Sequence, residues 1–170
     1  MAFKLKLMAQ KKGQSTLLIR FHDCDPFNHL NNGRYIDYFM NAREDHLTET
    51  FNFNIYKHAM KTGESWVVLQ NQIAYLAPAL LNEKVIIQSH LIEWSDKTGT
   101  VEMQMWDESK KVLKSLLWSK SVHFNLKTQQ AISHGDDIKA KFNITDAVHT
   151  VDFSFDERIV QIKKEGFQEA

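Results

Sequence analysis

The sequence predicts an α+β domain in which one long helix is wrapped by a curved antiparallel sheet of about five to six strands. Three observations lead there. From Arg34 to about Thr50 there is no Gly or Pro, and the apolar residues recur at mixed spacings of three and four, the helical period. The stretches that follow read as long strands divided by turn residues. Gly (6) and Pro (2) are scarce in 170 residues, so the strands are few and the turns short.

The elements follow in order. Thr16 to Phe21 (Thr-Leu-Leu-Ile-Arg-Phe) is apolar and partly β-branched, and reads as a first strand. Its pattern allows an earlier start near Ala2, with a break at Lys11-Lys12-Gly13. From His22 to Gly33, Asp, Asn, Pro and Gly mark a loop. The helix then carries Tyr35, Ile36, Tyr38, Phe39, Met40, Ala42, Leu47 and Phe51. Its first half is apolar on more than one face, as in a helix enclosed by other structure. Asn31 or Asn32 suits its N-cap. A weaker helix spans Ile55 to Lys61 and ends at Gly63. Strands follow at 66–75, 84–94, 100–106 and 112–126, with turns at 95–99 and 107–110. Val101, Met103 and Met105 alternate with Glu102 and Gln104, the period of a half-buried strand. Short helices are expected at 136–142 and 155–164. The whole chain, 1–170, is read as one domain. A curved sheet of this kind exposes an edge, and pairing of edges in a two-fold dimer covers it. A homodimer or homotetramer is therefore expected.

Composition narrows the function classes. Lys+Arg and Asp+Glu are 21 each, for a formal net charge of zero. That balance argues against binding nucleic acid, which rewards clustered positive charge, and against a polybasic membrane surface. The single cysteine, Cys24, makes no internal disulfide, and no C-x-x-C pair is present. The eight His show no metal-ligand spacing, so no metal or cofactor is expected. Met1 to Lys12 is basic and interrupted, unlike a secretory signal, and no stretch is apolar enough to span a bilayer. The expected setting is the cytoplasm.

The loop and the helix start carry the chemistry. Phe21-His22-Asp23-Cys24-Asp25-Pro26, Asn28-His29-Leu30-Asn31-Asn32-Gly33-Arg34-Tyr35 and Ala42-Arg43 resemble the 4-hydroxybenzoyl-CoA thioesterase-like family of hotdog proteins. The family pattern there is an Asp-x-Asp pair, a Gly-His-Val-Asn-Asn loop, a Tyr on the first helical turn and an Ala-Arg pair. Tyr75-Leu76-Ala77-Pro78-Ala79 followed by Glu83 is similar to the family's aromatic-x-x-Pro turn. The resemblance covers about residues 15 to 132. Asn28 stands where the family often has Gly, and Asn tolerates left-handed backbone better than most residues. Asn32 stands where some members carry His.

The resemblance implies a hotdog fold and hydrolysis of an acyl-CoA or acyl-carrier-protein thioester. Thioester hydrolysis needs a nucleophile, or a base to make one from water, and donors for the developing oxyanion. The carboxylate of Asp25 suits the first role, by direct attack or by activating water. Backbone N–H groups at the helix start suit the second, being unpaired within the helix and at the positive end of its dipole. The resemblance assigns that N–H to Asn32. Phe27, His29, Asn31, Gly33 and Tyr35 are read as substrate contacts.

Competing readings remain for single residues. Asp25 before Pro26 is also a turn former. Asp23 is read as structural, accepting loop N–H bonds. Cys24 lies between acidic residues, which disfavours a thiolate. Arg43 is read as an ion-pair partner of Glu44 or Asp37, and those two acids as alternative helix-borne bases. His46 and His58 are read as surface residues. Lys97, Lys114 and Lys120 are candidates for the CoA phosphates. Two other activities compete with the thioesterase: a hotdog hydratase or dehydratase using His29, and a non-catalytic acyl-binding protein.

Overall fold

The helical period read from residue 34 onward folds as α1, Tyr35–Phe51, in the computed structural model, which describes residues 11–145 and 147–169. Tyr35, Tyr38, Phe39, Ala42, His46 and Leu47 are buried, whereas Asp37, Asn41, Glu44, Asp45, Thr48 and Glu49 are exposed. Enclosure of the helix is thus one-sided. Asn52 (φ 49°) ends α1 in left-handed backbone, its N–H donating to the Leu47 carbonyl. Helix α2, Ile55–Thr62, is capped by the Asn54 side chain and ends at Gly63, where φ is 76° and the missing Cβ removes the strain.

Among the described residues six strands form one sheet: β1 (Gly13–Leu18), β2 (Glu64–Tyr75), β3 (Lys84–Trp94), β4 (Thr98–Asp107), β5 (Leu113–Asn125) and β6 (Gln130–Ala131). They lie in the order β1-β3-β4-β5-β2, with β6 paired to β5, and every ladder is antiparallel. Register shifts at Val68/Gln70, Leu91/Glu93 and Met105/Trp106 are bulges, which bend strands and raise their twist. The sheet curls round α1. Val85, Ile87, Met103, Met105 and Leu117 on its inner face pack with Tyr35, Phe39 and Ala42 of the helix.

The first strand ends sooner than its sequence suggests. Leu18 pairs with Lys84, the first residue of β3, and Ile19 then donates to the Glu83 carbonyl as the chain turns away. Among the described residues Phe21 has no strand to pair with, and it lies in a short 3-10 turn, 81% exposed. An extension toward Ala2 lies outside the described residues. Gly13 is needed for close approach: a Cβ there would stand 2.3 Å from Cβ of His46.

Two readings of α1 side chains are corrected. His46 is fully buried rather than on the surface, with Nδ1 2.8 Å from Ser89 Oγ and Nε2 3.0 Å from Ser15 Oγ, so it bridges β3 and β1. Arg43 makes no ion pair with Asp37 or Glu44 but donates to Ser89 Oγ at 3.2 Å and lies over the Phe51 ring. Asp37 pairs instead with Arg34, at 3.1 Å. The close approach at Gly13 and the small Ser15 and Ser89 side chains let these polar groups of α1 reach the sheet.

The strand read as half-buried is buried on both faces. Glu102, Gln104 and Trp106 are 0%, 7% and 2% exposed. Beyond α3 (Asp136–Phe142), helix α4 (Phe155–Glu165) lies on the outer face, packing Phe155 and Ile162 against Ile86, Trp106 and Leu116. Ser154 and Glu157 form a capping box at its start. The alternation in β4 therefore separates an apolar contact with α1 from a contact with α4 that is polar at Glu102 and apolar at Trp106.

Burial, with the Arg43 charge nearby, lowers the His46 pKa from 6.5 to about 4. The unfolded chain then takes up a proton near pH 6.5 that the folded chain refuses until about pH 4, so stability is lost as pH falls through that window. The loss is about 3 kcal/mol for a shift of this size. Urea denaturation at pH 7 and pH 4 is expected to show a smaller drop for His46→Gln than for the native chain by about that amount.

Candidate active site

Asp25 organises its own loop. Its Oδ1 accepts the N–H of Phe27 at 2.9 Å and that of His29 at 3.1 Å. Its N–H donates to the His29 carbonyl at 2.8 Å, and its carbonyl accepts from Asn28 at 3.0 Å. Asn28 sits at φ 62°, a left-handed position that Asn tolerates in place of Gly. The loop is tied to the segment after β2: Leu30 donates to the Ala79 carbonyl at 2.8 Å and Leu81 to the Asn28 carbonyl at 2.9 Å. Asp23 supports the loop otherwise than expected. Its carboxylate accepts from the Tyr38 hydroxyl at 2.9 Å, and its carbonyl, not its side chain, takes the Asn31 N–H.

The approach to α1 is a 3-10 turn, Asn32–Arg34, with Asn31 as its cap. Asn31 Oδ1 accepts from Gly33 at 2.9 Å, and the Asn31 carbonyl accepts from Arg34 at 2.8 Å. Asn31 and Gly33 thus satisfy each other. The Asn32 N–H donates to no group among the described residues.

Asp25, His29, Asn32 and Tyr35 line one cleft of about 240 Å³, together with Leu30 and the segment Tyr75 to Pro78. Phe27, Asn31 and Gly33 do not line it. Phe27 is 76% exposed, its ring tilted toward His29 at 6.4 Å. The Tyr35 hydroxyl accepts the Ala79 N–H at 3.2 Å, so its ring is the part presented to the cleft. Tyr75 was not among the candidates. Its hydroxyl donates to the Asn32 carbonyl at 3.0 Å, and its ring meets Tyr35 edge-on at 5.1 Å. Its signal was the aromatic-x-x-Pro turn, whose Pro78 closes the same cleft.

Other candidates are already engaged. Lys114 is buried, 2.6 Å from Glu83 and 2.8 Å from the Pro78 carbonyl, so it holds the turn and is not available to a phosphate. Lys97 and Lys120 are exposed. Burial, then Asp23 and Asp25, raise the pKa of Cys24, which keeps it a thiol. Asp37 lies outside the cleft, paired with Arg34. Glu44 borders a separate apolar cavity of about 270 Å³ walled by Met40, Leu47, Phe53, Trp66 and Met103, and it accepts from Tyr56 at 2.7 Å. A carboxylate whose Oδ2 has no hydrogen-bond partner among the described residues, sharing a cleft with an amide N–H at a helix start, is a set able to activate water or attack a carbonyl and to receive the oxyanion.

Comparison with known proteins agrees with this architecture. The model of the Thioesterase-like superfamily matches residues 19–142. The long-chain acyl-CoA thioesterase FadM of Escherichia coli (strain K12) is 28% identical over 130 residues, which are 75% of this chain and 95% of that one. The crystal structure of the YbaW probable thioesterase from Escherichia coli superposes with a TM-score of 0.68 at 25% identity, covering 79% of this chain and 98% of that one. Slr0204, a 1,4-dihydroxy-2-naphthoyl-CoA thioesterase from Synechocystis, gives 0.71 at 10% identity, over 80% and 98%. The curled sheet around one long helix is a hotdog fold, and the molecule is of the thioester hydrolase class. The chain belongs to the Thioesterase-like superfamily. No helix among the described residues is long and apolar enough to cross a membrane.

Tyr35→Phe removes the acceptor of the buried Ala79 N–H. A cost of about 1–3 kcal/mol is expected in urea denaturation, since a buried donor is left unpaired.

Proposed function

We propose that this protein hydrolyses acyl-CoA thioesters to a free acid and CoA, with the Asp25 carboxylate as base or nucleophile and the Asn32 N–H as oxyanion donor. The observation that carries this reading is that both groups line the same cleft, in a chain whose family hydrolyses thioesters. The two loop N–H groups on Oδ1 fix the Asp25 carboxylate and leave Oδ2 toward chemistry. As a base, Asp25 takes a proton from water while the hydroxide attacks the carbonyl carbon. As a nucleophile, it forms a mixed anhydride that water then opens. In either course the C–S bond breaks and the CoA sulfur leaves as thiolate, to be protonated. The oxyanion is met by the Asn32 N–H, with the positive end of the α1 dipole behind it; one such donor is worth about 10²–10³ in rate.

The acyl-CoA assignment draws on the resemblance and on the FadM relative. The exposed Lys97 and Lys120 suit the CoA phosphates. His29 in the same cleft supports the second reading, a hydratase, which adds water to an enoyl-CoA without releasing thiol.

A dimer completes the proposal. Among the described residues β2 pairs only with β5 and its other edge has no strand beside it, and Val67, Val68 and Leu69 on it are 40%, 47% and 57% exposed. Pairing of that edge with a second copy covers it.

Thiol release from a panel of acyl-CoAs tests the chemistry. Asp25→Asn keeps an amide oxygen for the loop N–H bonds and is expected to lose at least about 10²-fold in kcat; unchanged release would remove Asp25 from the mechanism. Hydration of an enoyl-CoA without thiol release would favour the hydratase instead. Light scattering at micromolar concentration is expected to give a dimer or tetramer, and Val68→Lys to lower that mass.

A further inference from the structure

Away from the cleft, at the other end of β2, three side chains converge. His58 on α2, Glu64 at the start of β2 and His123 on β5 each offer one ligand atom, and these atoms lie within 4.8 Å of one another. The spacing of the histidines along the chain gives no hint of the group. It exists because α2 runs directly into β2, and β2 pairs with β5 in a register that sets Trp66 opposite His123.

The hydrogen bonding of the group is incomplete in a particular way. His123 is 1% exposed, and its Nδ1 lies 3.2 Å from the Ser133 carbonyl oxygen. A carbonyl oxygen only accepts, so Nδ1 carries the hydrogen, and in the neutral ring Nε2 carries the lone pair. That lone pair faces Oε2 of Glu64 at 3.6 Å. Two acceptors therefore confront each other. Nε2 of His123 and Nε2 of His58 are buried and have no hydrogen-bond partner among the described residues. Unpaired polar atoms in the interior are costly, and native structures usually supply them with a partner.

The geometry points to a binding site for a divalent transition-metal ion of the zinc class, held by His58, Glu64 and His123. Two imidazoles and one carboxylate suit zinc and its neighbours, whereas calcium and magnesium take oxygen ligands. Tetrahedral zinc with bonds of about 2.0–2.1 Å sets its ligands about 3.3 Å apart, close to the 3.6 Å between His123 and Glu64. A histidine ligand is oriented by a bond from its other nitrogen, commonly to a backbone carbonyl, as His123 is oriented by Ser133. Trp66 stacks on the His123 ring at 4.6 Å and His134 lies parallel to it at 5.2 Å, so the ring is held in place before any ion arrives. The Glu64 side chain is 33% exposed, which leaves water a path to the fourth position. An ion there clasps α2 to two strands and touches no residue of the Asp25 cleft.

Zinc titrated into the chelator-treated, tag-free chain tests the site by calorimetry and thermal unfolding. One ion per chain is expected, with Tm raised by about 5–10 °C at a hundredfold excess over Kd. Cobalt in its place is expected to show the strong visible bands of a tetrahedral site. His58→Ala and Glu64→Gln, which spare the buried ring, are each expected to weaken binding at least about tenfold with an unchanged circular dichroism spectrum. Absence of saturable one-to-one binding by the native chain overturns the site, and so does full-strength binding by both variants. Thiol release by the Asp25 cleft is a separate readout and decides neither outcome.

Discussion

Tyr38 pins the loop on which the cleft depends. From the first turns of α1 its hydroxyl accepts the Arg20 N–H at 3.0 Å and donates to the Asp23 carboxylate at 2.9 Å. Burial raises its pKa, so the hydroxyl keeps its proton and remains a donor. Two directional bonds to one atom fix where the chain leaves β1, which apolar contact alone does not do. Asp23 then passes the constraint on, because its carbonyl takes the Asn31 N–H and closes the loop at the helix start. Asp25 and Asn32 are brought to the same cleft from both ends of that closed loop. The turn-forming and functional readings of Asp25 are thus compatible: one carboxylate oxygen shapes the loop and the other is left over.

A second constraint operates on the outer face. Glu102 is fully buried and accepts from Arg158 at 2.9 and 3.0 Å, from Gln104 at 2.7 Å and from Trp118 at 3.0 Å. Burial opposes charge on the carboxyl, but the hydrogen bonds and charge of Arg158, with His90 and Trp118, outweigh it and hold the pKa below its usual value. Gln104 in turn accepts from Trp106. The polar row of β4 is satisfied throughout, which is why a strand with a charged residue at its centre tolerates a helix on top of it.

The order of elements was legible because it rests on local periods. The helix of residues 35–51, the four long strands and both short tail helices followed from spacing and turn residues within each segment. What was illegible came from partners distant in sequence. Glu102 and Gln104 carry the pattern of a solvent face, and only Arg158, 56 residues on, turns that face into an interior. His46 reads as a surface histidine until Ser15 and Ser89 meet it from two strands. The site divided along the same line. Asp25, His29, Asn32 and Tyr35 share a continuous motif and reach one cleft, whereas Tyr75 enters from the far end of β2. Phe27, Asn31 and Gly33 belong to the motif through its turn geometry and face elsewhere.

The cover that α4 places on β4 has a consequence for biosynthesis. A ribosome makes Glu102 well before Arg158, and 56 positions separate them. A sheet formed before Arg158 arrives has Trp106 and Leu116 uncovered, with the Glu102 carboxylate on the same face. A charge on an uncovered apolar face opposes its association with other chains. When Arg158 arrives, the same carboxylate becomes the anchor for the helix that shuts water out. One residue thus guards the growing chain first and fastens the finished one afterwards.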